Sequence, residues 1–208
     1  MIKDLVIVFV KNIKLGKVKT RLAKTIGNQG AFEVYKELVE ITEIATSEVI
    51  ADKRIYFSDV IIEEKWQGFG KFVQQGEDLG ARMKNAFKKG FEDGYERIVL
   101  IGSDLPDITA PHIEKGLEVL KKKNVVFGPA VDGGYYLVGQ TKIHDCIFDN
   151  MPWSASNLLE TTFHRLNDYN ITFDTLETLN DIDTIADLEA SKFYQNNPQL
   201  QEKIKLLR

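Results

Sequence analysis

Five cations crowd one short segment of the chain. Lys11, Lys14, Lys17, Lys19 and Arg21 surround a single glycine, Gly16, directly after the apolar run Leu5 to Val10. Phosphate groups are bound by such a combination: positive charge, free backbone N–H groups, and a residue without a side chain where the ligand comes close. Two familiar phosphate motifs do not fit. A P-loop needs Gly directly before Lys-Thr, and Val18 precedes Lys19-Thr20 here; the dinucleotide pattern with three spaced glycines is absent as well. A second candidate is acidic. Ile98 to Ile101 is fully apolar and ends in Gly102-Ser103-Asp104. A carboxylate just beyond a buried strand can hold Mg²⁺, which takes one or two carboxylates together with substrate phosphates; it could equally close an Asx-turn. Asp107 suits a turn or a cap. Late in the chain, Asn180-Asp181-Ile182-Asp183-Thr184 reads on its own as helix capping, yet it is also the late acidic pair at an element boundary.

These residues need elements to position them. The Leu5–Val10 run is β-branched and unbroken, as strands of a buried parallel sheet are. Asn28 can cap a long amphipathic helix through Phe32, Tyr35, Val39, Thr42, Ala45 and Val49. Residues 55–57 and 71–75 are expected strands. Asp78 can start a helix with Leu79, Met83, Phe87 and Phe91 on one face, and Pro111 suits the first turn of the next helix. Strands at 125–127 and 135–138 flank Asp132-Gly133-Gly134. Residues 156–166 read as a helix and 171–173 as a strand, and Thr184 with Asp187 resembles a capping box opening a last helix. Strands and helices alternate, so the expected fold is a mainly parallel sheet with helices on both faces, as one domain over 1–208. Ligands of such sheets bind at the carboxyl ends of the strands, which places the site after Val10, Ile101 and Phe127.

Bulk properties narrow the class. The 208 residues carry a formal charge of −4, so a broad nucleic-acid-binding surface is not expected. The one cysteine, Cys146, cannot form an intramolecular disulfide and reads as a small apolar residue. With no apolar stretch of membrane-spanning length and no cleavage-site pattern after the first strand, a soluble cytoplasmic protein is the expectation. The oligomeric state is left open. Arg82 could reach a phosphate or nucleoside, or stay on a solvated helix face. Asp132-Gly133-Gly134 could be a plain hairpin turn, although two glycines also let a substrate approach the backbone. Trp153 could stack on a ring or pack in the core, and Trp66 reads as core. His112, His144 and His164 have no ligand spacing.

Taken together the segments Phe9–Ala23, Gln74–Met83, Ile101–Thr109, Phe127–Gly139, Met151–Thr162 and Asp181–Glu189 resemble the nucleotide-diphospho-sugar transferase superfamily. Within it they resemble a small bacterial glycosyltransferase-like group long carried as a domain of unknown function. The resemblance implies the glycosyltransferase-A fold, a three-layer α/β/α sandwich around a mainly parallel, mixed sheet. It implies that Lys11, Gly16, Lys19, Arg21 and Arg82 contact nucleotide phosphates. It implies that Asp104 and Asp183, or Asp181 in place of the latter, hold Mg²⁺ or Mn²⁺, and that Asp132, Gly133, Gly134 and Tyr135, with Trp153, line the acceptor or sugar pocket. Catalysis would fall to Asp104, Lys19 and Arg21. The partners would be a nucleotide or nucleotide-sugar and a small-molecule acceptor. Two departures stand out. Pro106 stands where a second Asp of an Asp-x-Asp motif would be, and the Gly-rich opening loop of nucleotidyltransferases is replaced by Phe9-Val10-Lys11-Asn12 with one Gly16. The first loop therefore tips the expectation to glycosyl transfer, with guanylyl- or cytidylyl-type nucleotidyl transfer and a non-catalytic nucleotide-binding protein as alternatives.

Overall fold

A computed structural model describes residues 3–207. Seven strands form one sheet in the order β3-β2-β1-β4-β6-β5-β7. They are β1 (Asp4–Val10), β2 (Asp52–Phe57), β3 (Gly70–Val73), β4 (Arg97–Ile101), β5 (Val125–Pro129), β6 (Tyr135–Gln140) and β7 (Phe173–Thr175). Every strand but β6 runs the same way; β6 pairs antiparallel with both β4 and β5. The sheet is thus mainly parallel and mixed.

Alternation along β1 assigns the two faces. Val6, Val8 and Val10 pack against Tyr35 and Val39 of α1 (Thr20–Ser47) and Ile113 and Leu117 of α3 (Ala110–Val119). Leu5, Ile7 and Phe9 point to the opposite face, where Met83 and Phe87 of α2 (Leu79–Glu92) and Leu166 of α4 (Leu158–Asp168) cover them. Residues of β1 on both faces are buried, which is why its sequence is apolar without alternation. Helices α5 (Ile185–Ala190), α6 (Lys192–Gln195) and α7 (Pro198–Leu206) add a small third cluster outside α1. There Ile182, Leu188, Leu200 and Ile204 meet Leu22, Ile26, Val34 and Leu38.

Several boundaries differ from expectation. The first helix starts at Thr20 rather than Asn28; Gly27, at φ 78° and ψ 161°, breaks it in the middle, so Asn28 opens only its second part. The end of the cationic segment is therefore helical. Leu79 does not share the buried face of Met83 and Phe87; it is 48% exposed, because it is the first residue of its helix and borders a cleft. The Thr184–Asp187 capping box is present, and Pro111 lies in the first turn of α3. His112 completes a capping box with Thr109, and Trp66 is a core residue at 1% exposure.

Strand β6 lies between two neighbours with no room to spare. A Cβ on Gly139 would sit 2.8 Å from both Val99 Cγ1 and Val126 Cγ1 and 3.1 Å from the Ile98 carbonyl oxygen. Gly139→Ala is expected to cost about 1–3 kcal/mol by overpacking. Urea unfolding should show a lower midpoint at unchanged slope.

Candidate functional site

A cleft of about 500 Å³ opens at the carboxyl ends of β1, β2, β3 and β4. Phe9 and Lys11 reach it from β1, Ser58 from the end of β2, Gln74 from the end of β3, and Arg82 and Met83 from α2. Its other wall holds Asp104 after β4, Asp132 and Gly134 from the β5–β6 turn, Tyr135 from β6, Trp153 ahead of α4, and Asp181. A larger and more open hollow of about 830 Å³ lies beside residues 142–150 and Arg165. It follows β6, which runs against the other strands, so it belongs to the opposite sheet edge. Its Arg165 is committed to the carbonyls of Cys146, Asp149 and Asn150. The first cleft is therefore the candidate site.

Beside Asp104 the central contact is an ion cluster. Lys19 Nζ donates to Asp104 Oδ2 at 2.9 Å and to Asp183 Oδ1 at 3.3 Å, and Arg21 Nη1 donates to Asp183 Oδ2 at 3.2 Å. The Lys19 side chain is 3% exposed, Asp104 30% and Asp183 40%. Burial works against the Lys19 charge, but Asp104, backed by Asp183 and Asp181, outweighs it and holds the ammonium above the ordinary lysine value. Burial likewise works against the Asp104 carboxylate, and Lys19, helped by Lys11, keeps it below the ordinary range. Asp181 goes the other way. Burial first, then the like charges of Asp132, Asp183 and Asp104, push it up to about 6 against the pull of Lys19.

The sequence reaches this geometry by local means. Lys19 is the N-cap of α1 with φ 47°, a left-handed conformation uncommon outside glycine. Val18 beside it is 2% exposed, so the chain dives inward and carries the ammonium under the loop. Ile182 buries itself against Leu22 and Ile26, and its N–H donates to the Asp104 carbonyl at 3.4 Å. Its flanking carboxylates then serve two places: Asp183 meets Lys19, and Asp181 lines the cleft. The α5 capping box fixes Asp183 further, since Asp187 Oδ2 accepts from the Asp183 and Thr184 N–H groups at 3.1 and 2.7 Å.

A second set of bonds joins the first loop to the sheet. Tyr35 Oη accepts from the Lys11 N–H at 3.0 Å and is bonded to Ser103 Oγ at 2.8 Å. Burial, then Asp104, raises the Tyr35 phenol well above its ordinary pKa, so it stays a neutral bridge. Asn12 is 6% exposed; its Oδ1 accepts from the Asp59 and Val60 N–H groups at 2.8 and 3.2 Å and its Nδ2 donates to the Val60 carbonyl at 2.7 Å. The bridge and the clamp together hold Lys11 at the cleft mouth. Sequence reasoning did not single out Asn12, Tyr35, Ser103, Ser58 or Gln74 for the site. Asn12 and Ser103 were visible as polar residues at strand ends, but nothing in one sequence pairs Asn12 with residues 59 and 60.

The expected site residues fall into two groups. Lys11, Arg82, Asp104, Asp132, Gly134 and Trp153 line the cleft. Lys19 and Asp183 stand just behind Asp104, and Arg21 stands behind them with its side chain 69% exposed. Gly16 and Gly133 do not line it. Gly16 turns the loop at φ 74°. Gly133, at φ 90°, packs so tightly that a Cβ would fall 1.8 Å from the Ser156 carbonyl oxygen; its role is to seat the 153–158 wall against the hairpin. Trp153 is half-buried, and its ring lies where a Cβ on Gly80 would come within 2.4 Å.

Hard oxygen donors at the cleft suit a divalent cation. Asp104 and Asp183 converge on one ammonium, and Asp181 is crowded by negative charge that Lys19 does not fully offset. Among the described residues no three His, Cys, Asp or Glu side chains are close enough to hold a metal unaided.

An α/β sandwich with a mainly parallel sheet, a cationic loop after the first strand and carboxylates after the fourth defines a transferase-like nucleotide-diphospho-sugar fold. The family described as "uncharacterized protein conserved in bacteria (DUF2064)" matches residues 45–155, and the chain belongs to it. A structure from Desulfovibrio desulfuricans G20, described provisionally as a nucleotide-diphospho-sugar transferase, is 32% identical, with a TM-score of 0.87, and the match covers 100% of this chain and 97% of that one. The inositol-1-phosphate CTP transferase from T. maritima is 16% identical with a TM-score of 0.55, over 98% and 96% of the two chains. A CMP:2-keto-3-deoxy-manno-octonic acid synthetase complexed with CTP is 12% identical with a TM-score of 0.58, over 90% and 95%. These last two share the fold. No curated protein matches the chain.

Replacing Lys19 by Met strands two carboxylates beside a third. Lys19→Met should cost about 1–3 kcal/mol at pH 7, less than a wholly buried pair because both carboxylates touch water. The Asp104 pKa is depressed in the folded state, so its contribution is present above about pH 4 and lost as pH falls through the folded value; the Lys19 pKa is raised, so its contribution is lost only in strong base. Asp181, held near 6 with the help of Lys19, ionises less readily in the variant, so the stability gap between wild type and Lys19→Met should be widest above about pH 6 and shrink in acid, as thermal melts across pH will show.

Proposed function

We propose that this protein is a metal-dependent transferase that uses an activated nucleotide, and that it transfers the sugar of a nucleotide-sugar to a small-molecule acceptor. One observation carries the reading: residues 11, 82, 104 and 181, far apart in sequence, meet in one cleft at the carboxyl edge of the sheet, with Lys19 and Asp183 directly behind Asp104. The 32% identical relative described as a nucleotide-diphospho-sugar transferase supports it.

Lys11 and Arg82 are placed to take the nucleotide diphosphate. Arg82 Nε donates to the Gly76 carbonyl at 3.1 Å, which fixes the stem and leaves the outer guanidinium nitrogens for a ligand. Asp104, with Asp183 or Asp181, would hold Mg²⁺ or Mn²⁺, which supplies Lewis-acid stabilisation of the departing diphosphate. Lys19 keeps Asp104 ionised and aimed at the cleft. It reaches phosphate only by releasing Asp104. An acceptor hydroxyl or amine then attacks the anomeric carbon; the bond from that carbon to the phosphate oxygen breaks, the nucleoside diphosphate leaves with the electron pair, and the proton of the acceptor passes to a carboxylate of the facing wall, where Asp132 stands.

A second reading, transfer of the nucleotidyl group with release of pyrophosphate, shares this cleft and is separated from the first by its product. Nucleotides and nucleotide-sugars are screened by thermal shift with Mg²⁺ or Mn²⁺. A true ligand at about 100 times its Kd adds about 2.7 kcal/mol, or roughly 5–10 °C for a chain of this length. Asp104→Asn should remove most of the metal-dependent part. Product analysis on the best hit should show nucleoside diphosphate. Pyrophosphate instead would establish the second reading, and equal shifts without metal in wild type and Asp104→Asn would discard the metal assignment.

A further inference from the structure

The charges that line the cleft are sorted by side. Its two cations, Lys11 and Arg82, lie on the half built by β1, β2, β3 and α2; its three carboxylates, Asp104, Asp132 and Asp181, lie on the half built after β4, β5 and β7. Lys19 is spent on Asp104 and Asp183, and Lys14 on Asp59. Among the described residues neither Asp132 nor Asp181 has an ion-pair partner; Asp132 is exposed at the cleft, and its Oδ1 accepts the Gly134 N–H at 2.9 Å. The rest of this half is aromatic or apolar: Tyr135, Trp153, Ala155 and Leu158.

Resting on the transferase reading above, we infer that the acceptor is a neutral or cationic small molecule bearing hydroxyl or amino groups and no phosphate. A phosphorylated acceptor would set its dianion against Asp132 with no cationic side chain on that wall to receive it, the divalent cation proposed beside Asp104 being engaged by the diphosphate of the donor, and like-charge juxtaposition is how sites reject a partner. Hydroxyls and ammonium groups are the donors that a free carboxylate such as Asp132 accepts, and the half-buried Trp153 beside it suits a sugar ring or a cation. With the diphosphate held between the cationic half and the divalent cation proposed at Asp104, the same sorting leaves the wall around Asp132 to the nucleophile.

The test reads binding at this wall without any transfer. Trp153 borders it, while Trp66, the only other tryptophan, is buried in the core at 1% exposure. Intrinsic fluorescence is titrated with matched pairs: a hexose and its phosphate monoester, glycerol and glycerol phosphate, ethanolamine and phosphoethanolamine. Trp153→Phe serves as the blank, and ligand-observed NMR as a second readout. The unphosphorylated member of at least one pair should bind about tenfold or more tightly than its twin at low salt, and Asp132→Lys should reverse that order. Equal or tighter binding of the phosphorylated twins to the wild type overturns the inference, and so does the absence of a saturable response to every unphosphorylated compound. The two ideas fail separately. Stabilisation by nucleotide with the twins in the wrong order sinks only the acceptor class; the expected order with no nucleotide response sinks only the donor.

Discussion

The cleft depends on one buried ammonium. Asp104, Asp183 and Asp181 come from two chain segments that meet at the end of β4, and like charges do not gather in a partly dry site without a counter-charge. Lys19 supplies it from a third segment. Its own position is forced: it sits at the left-handed N-cap of α1, next to the buried Val18, with its side chain almost wholly enclosed. A shorter or neutral side chain there leaves the carboxylates to repel each other or to take up protons. The sheet could still form, since β1 and β4 pair through buried backbone, but the edge above them would lose the charge pattern that makes it a site. The same contact separates two tasks that the sequence lumps together. Of the cations near Gly16, Lys11 faces the ligand side, Lys14 pairs with Asp59, and Lys19 and Arg21 organise carboxylates. What reads as one phosphate cradle is Lys11 at the cleft, an exposed Lys17 with no ion pair among the described residues, and a scaffold of paired cations.

Much of the fold was legible because it is written in periods. The unbroken apolar run of β1, the apolar run ending at Asp104, and the alternation of strands with helices give a mainly parallel sheet, and the carboxyl-edge rule then places the site. Asp104 and Asp132 follow from that rule alone. The reversal of β6 was half visible in the Asp132-Gly133-Gly134 turn, since a short turn between two strands forces an antiparallel pair. Other features were not legible, for physical reasons. The start of α1 was misplaced because Gly27 interrupts the helix and makes Asn28 look like its beginning. Leu79 was assigned to the core by spacing, yet a residue at the first helical position lies at the rim of the packed face. The partner of Lys19 could not be read from composition: the contact spans 85 residues to Asp104 and 164 to Asp183, and only the burial of Ile182 brings the late segment there.

The glycines show why a residue type is a poor guide to role. Gly16, Gly133 and Gly134 all read as places for a ligand to approach. Gly134 does border the cleft, Gly16 turns the loop, and Gly133 is filled from behind by the Ser156 carbonyl. Gly80, which drew no notice in the sequence, leaves the space that Trp153 occupies. Positive φ and absence of a side chain are demands of the backbone, and packing from the protein itself meets them as readily as a substrate does.

The two walls of the cleft have different structural origins, and this bears on how the site could change its chemistry. The cationic wall is anchored to the sheet: Lys11 by the Tyr35–Ser103 bridge and the Asn12 clamp, Arg82 by its bond to Gly76. On the acidic side, the part around Asp132 and Trp153 is built from the hairpin turn and the loop before α4, joined to each other through Gly133 and by the Leu159 N–H donating to the Gly133 carbonyl at 3.0 Å. A loop-built wall can exchange side chains at little cost to the core, because its residues hang from turns rather than from buried strands. On the proposed transferase reading, donor binding belongs to the anchored wall and acceptor choice to a few replaceable side chains, chiefly Asp132 and Trp153. Asp132 makes no bond to the ammonium that holds Asp104, so that position can change without unseating the contact.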